Sequence, residues 1–342
     1  MVVKVAVIAC CMNGCFYRVF ALGVRTTFTV LVPEALTFMP ETLPFSTCND
    51  QAARLRQLVA QGPSSDESPS GCHVITVISG KGGVGKTFIA TNLAIAMAAR
   101  GHRVILFDMD MGLANADIVL GVEAKGTWSE VLTGERSLDD VVVHAPGNIA
   151  FVPGSSGIAE LADLSEFERH RLMLVMRELE SRYDVVILDC GAGIGRNVLG
   201  FAASADTVLV VTTPEPTSVT DAYAMIKAFP KLSRMRATPA DQPGGIGLVV
   251  NYAENRHEGK LIYERISSVA AHFLHLGVSD YGYILRDEHV PSAVRERNPL
   301  MLRYPRCSAS SCVMALANRL SREIGQPEVP KSLFRRMVGM FF

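Results

Sequence analysis

No C-x-x-C pair occurs among the eight cysteines, only one tryptophan is present, and neither sign of charge is in surplus. No Cys/His cluster has zinc spacing, and an iron–sulfur carrier needs paired cysteines to hold a bridging cluster, for which Cys307 and Cys312 are too loosely spaced. Cys10, Cys11 and Cys15 lie near the start, and Cys48, Cys72, Cys190, Cys307 and Cys312 stand apart. They read as buried or idle thiols in a reducing compartment. With 33 basic against 34 acidic residues, a broad electrostatic grip on nucleic acid is not indicated, and no direct nucleic-acid partner is expected. A long apolar run is missing too. In residues 1–45 the longest uncharged stretch, Val5 to Tyr17, falls short of the about 20 residues a bilayer span needs. Three readings of that extension stand open: a translation start further along, for instance at Met39 (the preferred one), a disordered extension, or a weak membrane contact. What remains, 49% hydrophobic against 20% charged residues, is the composition of a soluble chain with a large core.

The chain divides into four parts. After residues 1–45, the stretch 46–72 combines a short polar helix, Asp50 to Gln61, with the Gly/Ser/Pro linker Gly62 to Gly71, which cannot pack a core. From residue 73 to 325, apolar strands alternate with helical segments. Val74–Ile78, Arg103–Phe107, Ile149–Val152, Asp184–Leu188, Thr207–Val211 and Ile246–Val250 read as strands, and Ser165–Arg182 is one of the helices between them. Strands this uniformly apolar are buried on both faces, and repeated βα units imply one doubly wound α/β domain with a mostly parallel sheet. Residues 326–342 form a separate tail.

Between the first strand and the helix starting near Lys86 lies Gly80-Lys81-Gly82-Gly83-Val84-Gly85-Lys86-Thr87. Glycines let successive backbone N–H groups face one anion, and the helix N-terminus adds its partial positive charge. Lys86 is placed to neutralise the β- and γ-phosphates and Thr87 to ligate Mg²⁺, with Phe88 next on the helix. Two strands end in carboxylates beside this loop. Asp189 follows Val185–Leu188 in a Walker B arrangement that holds Mg²⁺ through water. Asp108 and Asp110 follow Val104–Phe107; Asp108 reads as a support of its own loop.

Lys81, directly after the first glycine, resembles the deviant Walker A lysine of the MinD/ParA-like ATPases. The resemblance runs from Val74 to about Ile324 and implies a P-loop NTPase fold with helices on both faces of the sheet. In such proteins this lysine reaches the phosphates of a partner's nucleotide, so Lys81, Lys86 and Asp110 are the implied catalytic set, Asp110 positioning the attacking water. Asn251, after the strand Ile246–Val250, is the implied adenine contact. No Lys-x-Asp guanine element occurs there, which favours ATP.

Thr212 to Lys227 and Asp108 to Asp117 are similar to the FlhG group (also called FleN or YlxH), MinD-like regulators of flagellar number and placement. Asp50-Gln51-Ala52-Ala53-Arg54-Leu55-Arg56 matches the group's D-Q-A-x-x-L-R activator of the GTPase FlhF, carried by Asp50, Gln51, Ala52, Leu55 and Arg56. On a helix, Leu333, Phe334, Met337, Val338 and Phe341 share one face, with Arg335 and Arg336 beside it. Such a basic amphipathic tail suits an anionic membrane surface, and the group uses a similar one. The resemblance implies a slow, Mg²⁺-dependent ATPase switch: cytoplasmic, peripheral at the inner face of the cell membrane, and dimeric with ATP. Its implied partners are an FlhF-type GTPase and flagellar switch (C-ring) proteins or a flagellar transcription regulator. The competing reading is a ParA-like DNA-partitioning ATPase, which needs a basic DNA-facing surface. A bacterial tyrosine kinase on this core needs a tyrosine-rich tail, and no tyrosine follows Tyr304.

Overall fold

The computed structural model describes residues 72–110, 115–154, 165–233 and 245–324. The N-terminal extension, the helix expected over Asp50–Gln61 with its linker, Met111 to Ala114, and the tail with the residues expected at a membrane lie outside the described residues.

Eight strands form one sheet, all parallel to their neighbours except a three-residue edge strand. In chain order these are β1 (His73–Ser79), β2 (Val104–Met109), β3 (Val143–Ala145), β4 (Ile149–Val152), β5 (Val185–Ala192), β6 (Thr207–Thr212), β7 (Gly245–Ala253) and β8 (Ser279–Leu285). The spatial order is β3-β4-β2-β5-β1-β6-β7-β8. Chain growth runs to one side of β1 through β2 and β4, and to the other through β6, β7 and β8. A loop leaving the carboxyl end of β1 therefore sits at the point where the winding reverses, where open α/β sheets bind ligands.

The helices cover both faces. On one side lie α1 (Lys86–Ala98), α2 (Ala116–Leu120), α9 (His289–Arg295), α10 (Leu300–Arg303) and α11 (Ser308–Ile324). On the other lie α3 (Trp128–Thr133), α4 (Leu138–Val141), α5 (Glu166–Arg182), α6 (Arg196–Ser204), α7 (Pro216–Ser233) and α8 (Arg256–Leu274). Alternate side chains of each strand feed the two cores: in β1, Val74 and Ile78 face one and Ile75 and Val77 the other. Trp128, the single tryptophan, is buried edge-on against Phe107, ring centroids 5.3 Å apart.

Two strands differ from the sequence expectation. β3 is a short antiparallel edge pair, and β8 is polar and interrupted by Gly282 at φ 94°. Neither carries the apolar run that marks the buried strands. β5 also continues through Asp189 to Ala192, so that carboxylate lies within the strand, level with Val77 of β1 and Asp108 of β2. The helix expected from Ser165 is α5, capped by Ser165, which accepts the Glu168 N–H at 3.2 Å while Glu168 accepts the Ser165 N–H at 2.7 Å.

α1 is buried from Phe88 through Met97 and has no polar face to present to water. Of its two polar interior residues, Thr91 donates to the Thr87 carbonyl at 2.7 Å, and Asn92 donates to the Phe88 carbonyl at 2.8 Å and accepts the Met301 N–H at 3.0 Å. That amide ties α10 to the helix that carries the loop.

Candidate functional site

The loop Gly80–Gly85 joins β1 to α1 at the middle of the sheet. Two of its glycines are required by geometry. A Cβ on Gly80 would stand 2.3 Å from the Asp221 carbonyl oxygen of α7, so only glycine permits that approach. Gly85, at φ 88°, is the left-handed cap that starts α1, and a Cβ there would meet Asn251 Nδ2 at 2.3 Å. Gly82 and Gly83 are exposed with open space above them, and Val84 is buried.

Lys86 and Thr87 open α1 beneath this loop. The Lys86 side chain is 7% exposed and has no salt-bridge partner among the described residues. Both carboxylate oxygens of Asp189 are buried and lack a hydrogen-bond partner. Burial and the adjacent Asp108 push the Asp189 carboxyl up to about 7, with Asp110 adding to the rise and the Thr87 hydroxyl and Lys86 ammonium opposing it. An unpaired buried carboxylate next to a threonine hydroxyl and a buried ammonium is a costly arrangement by itself. A divalent cation at the carboxylate and hydroxyl, with a polyphosphate at the ammonium, satisfies all three groups. The donor set, oxygen only, suits Mg²⁺.

Asp108 does what a loop support should do. Its Oδ1 accepts the Asp110 N–H at 3.0 Å, and its Oδ2 accepts the N–H groups of Asn115 and Ala116, each at 3.1 Å. Burial raises this carboxyl to about 6, against the pull of those N–H groups. Asp110 stands over the end of β5, where a Cβ on Gly191 would be 3.3 Å from its Oδ1. The three carboxylates thus converge on one end of two adjacent strands.

Lys81 points away from this cluster. Its Nζ lies 2.9 Å from Glu215 Oε2 and donates to Thr217 Oγ1 at 3.0 Å, at the start of α7. The lysine side chain keeps 40% of its surface exposed. Asn251 is 1% exposed and donates through Nδ2 to the Val84 carbonyl at 2.8 Å, so it braces the loop whatever else it touches. Phe88 packs its ring in the core, leaving only its backbone to the site. The sequence reading missed Glu215, Thr217 and Tyr252. Tyr252, at φ 58° and 37% exposed, brings its hydroxyl near Gly85, and an exposed aromatic directly after Asn251 was its only signal.

These features define a P-loop ATPase with a second lysine at the head of its phosphate loop. The family described as "AAA domain" matches residues 72–238. The antiactivator FleN of Pseudomonas aeruginosa is 36% identical over 72% of this chain and 85% of its own length. The flagellum site-determining protein YlxH of Helicobacter pylori is 32% identical over 85% of this chain and 98% of its own. Among solved structures, the septum site-determining protein MinD of Pyrococcus horikoshii, complexed with Mg-ADP, superposes with a TM-score of 0.59. It is 23% identical and covers 74% of this chain and 98% of that one. The chain belongs to the FleN/YlxH (FlhG) family of MinD-like ATPases.

Proposed function

We propose that this ATPase is a nucleotide-operated switch that sets the number and placement of flagella. ATP occupies the loop Gly80–Thr87 with Mg²⁺ at Thr87 and, through water, at Asp189; Asn251 and Tyr252 flank the base. Two ATP-bound chains then meet face to face, and Lys81 of each leaves Glu215 for the partner's phosphates. When bound, Mg²⁺ neutralises developing phosphate charge; Lys86 holds the phosphates, Asp110 orients the attacking water, and buried Asp108 fixes the loop carrying Asp110. The observation that carries this reading is Lys81 itself: exposed at the rim of its own loop, it has no role at the buried carboxylates beneath.

The dimer presents two copies of the tail 326–342 to an anionic membrane, so avidity couples nucleotide state to membrane residence. The helix Asp50–Gln61 engages an FlhF-type GTPase, and switch-ring or transcriptional partners read the same state. In light scattering, the unaltered chain dimerises with Mg-ATP and Lys81→Ala does not; a Lys81→Ala dimer would refute the shared site. Removal of Asp50–Gln61 should abolish GTPase stimulation while leaving dimerisation unchanged.

A further inference from the structure

Where β8 ends and α11 begins, the fold brings Cys307 to a pair of side chains, Asp287 and His289, that lie two residues apart in the sequence. One donor atom each of Asp287, His289 and Cys307 lies within 4.8 Å of the other two. Asp287 sits in the turn between β8 and α9, His289 opens α9, and Cys307 directly precedes α11. Each is held in place by its surroundings. Asp287 Oδ1 accepts the His289 N–H at 3.0 Å and lies 2.7 Å from His289 Nδ1, while Oδ2 accepts the Ala309 N–H at 3.1 Å. The Cys307 sulfur accepts the Ser310 N–H at 3.4 Å, and its thiol donates to Ser310 Oγ at 3.4 Å. The His289 ring rests on Tyr304, centroids 4.6 Å apart. Backbone N–H groups and a packed ring thus fix the donors, as outer-sphere partners do at metal centres.

We propose that Asp287, His289 and Cys307 bind a divalent transition metal of the zinc class. A carboxylate, an imidazole and a thiolate form a borderline-soft set that suits Zn²⁺ and disfavours Mg²⁺ or Ca²⁺. The Asp287 side chain is 7% exposed and the His289 side chain 42%, so the ion enters past the imidazole onto the buried carboxylate. On binding, the Cys307 S–H bond breaks, a sulfur–metal bond forms and the proton leaves to solvent; water completes the coordination, and no electron is transferred. The ion clamps the end of β8 to the start of α11.

The full chain, dialysed free of metal and kept in excess Mg²⁺ to fill oxygen-ligand sites, is titrated with Co²⁺. The expected result is a near-ultraviolet thiolate-to-Co²⁺ charge-transfer band that saturates and is displaced by Zn²⁺. Cys307→Ser abolishes the band, and Cys312→Ser leaves it. His289→Asn, at a half-exposed ring that can be changed without opening the core, weakens binding by more than the about 10- to 100-fold typical of losing an outer-sphere partner. Absence of the band in the unaltered chain overturns the proposal, as does its survival in Cys307→Ser or its loss in Cys312→Ser. Unchanged affinity in His289→Asn also overturns it.

Discussion

Asp189 binds its proton more tightly in the folded chain, where its carboxyl is raised to about 7, than in the unfolded one, near 3.8. Its contribution to stability is therefore fully present below about 4 and is lost as pH rises through about 7. Thermal unfolding of the metal-free chain should show a component that falls with pH across that window, and Asp189→Asn should remove it. Mg²⁺ competes with the same proton, so Mg²⁺ affinity, measured by calorimetry, should weaken as pH drops below about 7. At Lys81 the prediction has another form. Its ion pair with Glu215 is exposed on both sides, 40% and 67%. Glu215→Gln should change folding stability by less than about 0.5 kcal/mol. It should nonetheless lower the ATP concentration needed for dimerisation, read by light scattering, because Lys81 no longer has to leave a carboxylate.

Among the elements, β1, α1 and β5 were legible because a parallel strand buried on both faces has no polar positions to blur its pattern. The same physics hid β8, whose Ser279, Asp280 and Gly282 belong to an exposed edge rather than to a buried run. Asp108 could be recognised as a loop support from its place at a strand end. The contact of Lys81 with Glu215 could not, since 134 residues separate the two and only the packing of α7 beside the loop joins them. Asp287 and His289 are neighbours in one turn, but Cys307 joins them only through the packing of α11, so the trio escaped for a similar reason. That packing is itself testable. Gly80→Ala must move the loop off the Asp221 carbonyl and should abolish ATP binding while far-ultraviolet circular dichroism stays native. Asn92→Ala leaves the Met301 N–H buried and unpaired, which should cost about 1–3 kcal/mol in denaturant unfolding.

Over the whole molecule, the strand order puts the phosphate loop at the centre of the sheet and leaves β3 and β8 as its edges. The two lysines of the loop sit on very different ground. Lys86 is the first residue of α1, a helix buried nearly from end to end and tied to α10 through Asn92. Its amides should exchange with deuterium only through global unfolding, at a rate that ATP slows by mass action alone. Lys81 rests on an exposed ion pair at the start of α7, where exchange should be fast and should change when a second chain arrives. The loop thus joins a slow clock to a fast one: the amides around Lys86 open only with the whole fold, whereas the ion pair of Lys81 opens on the timescale of a surface contact.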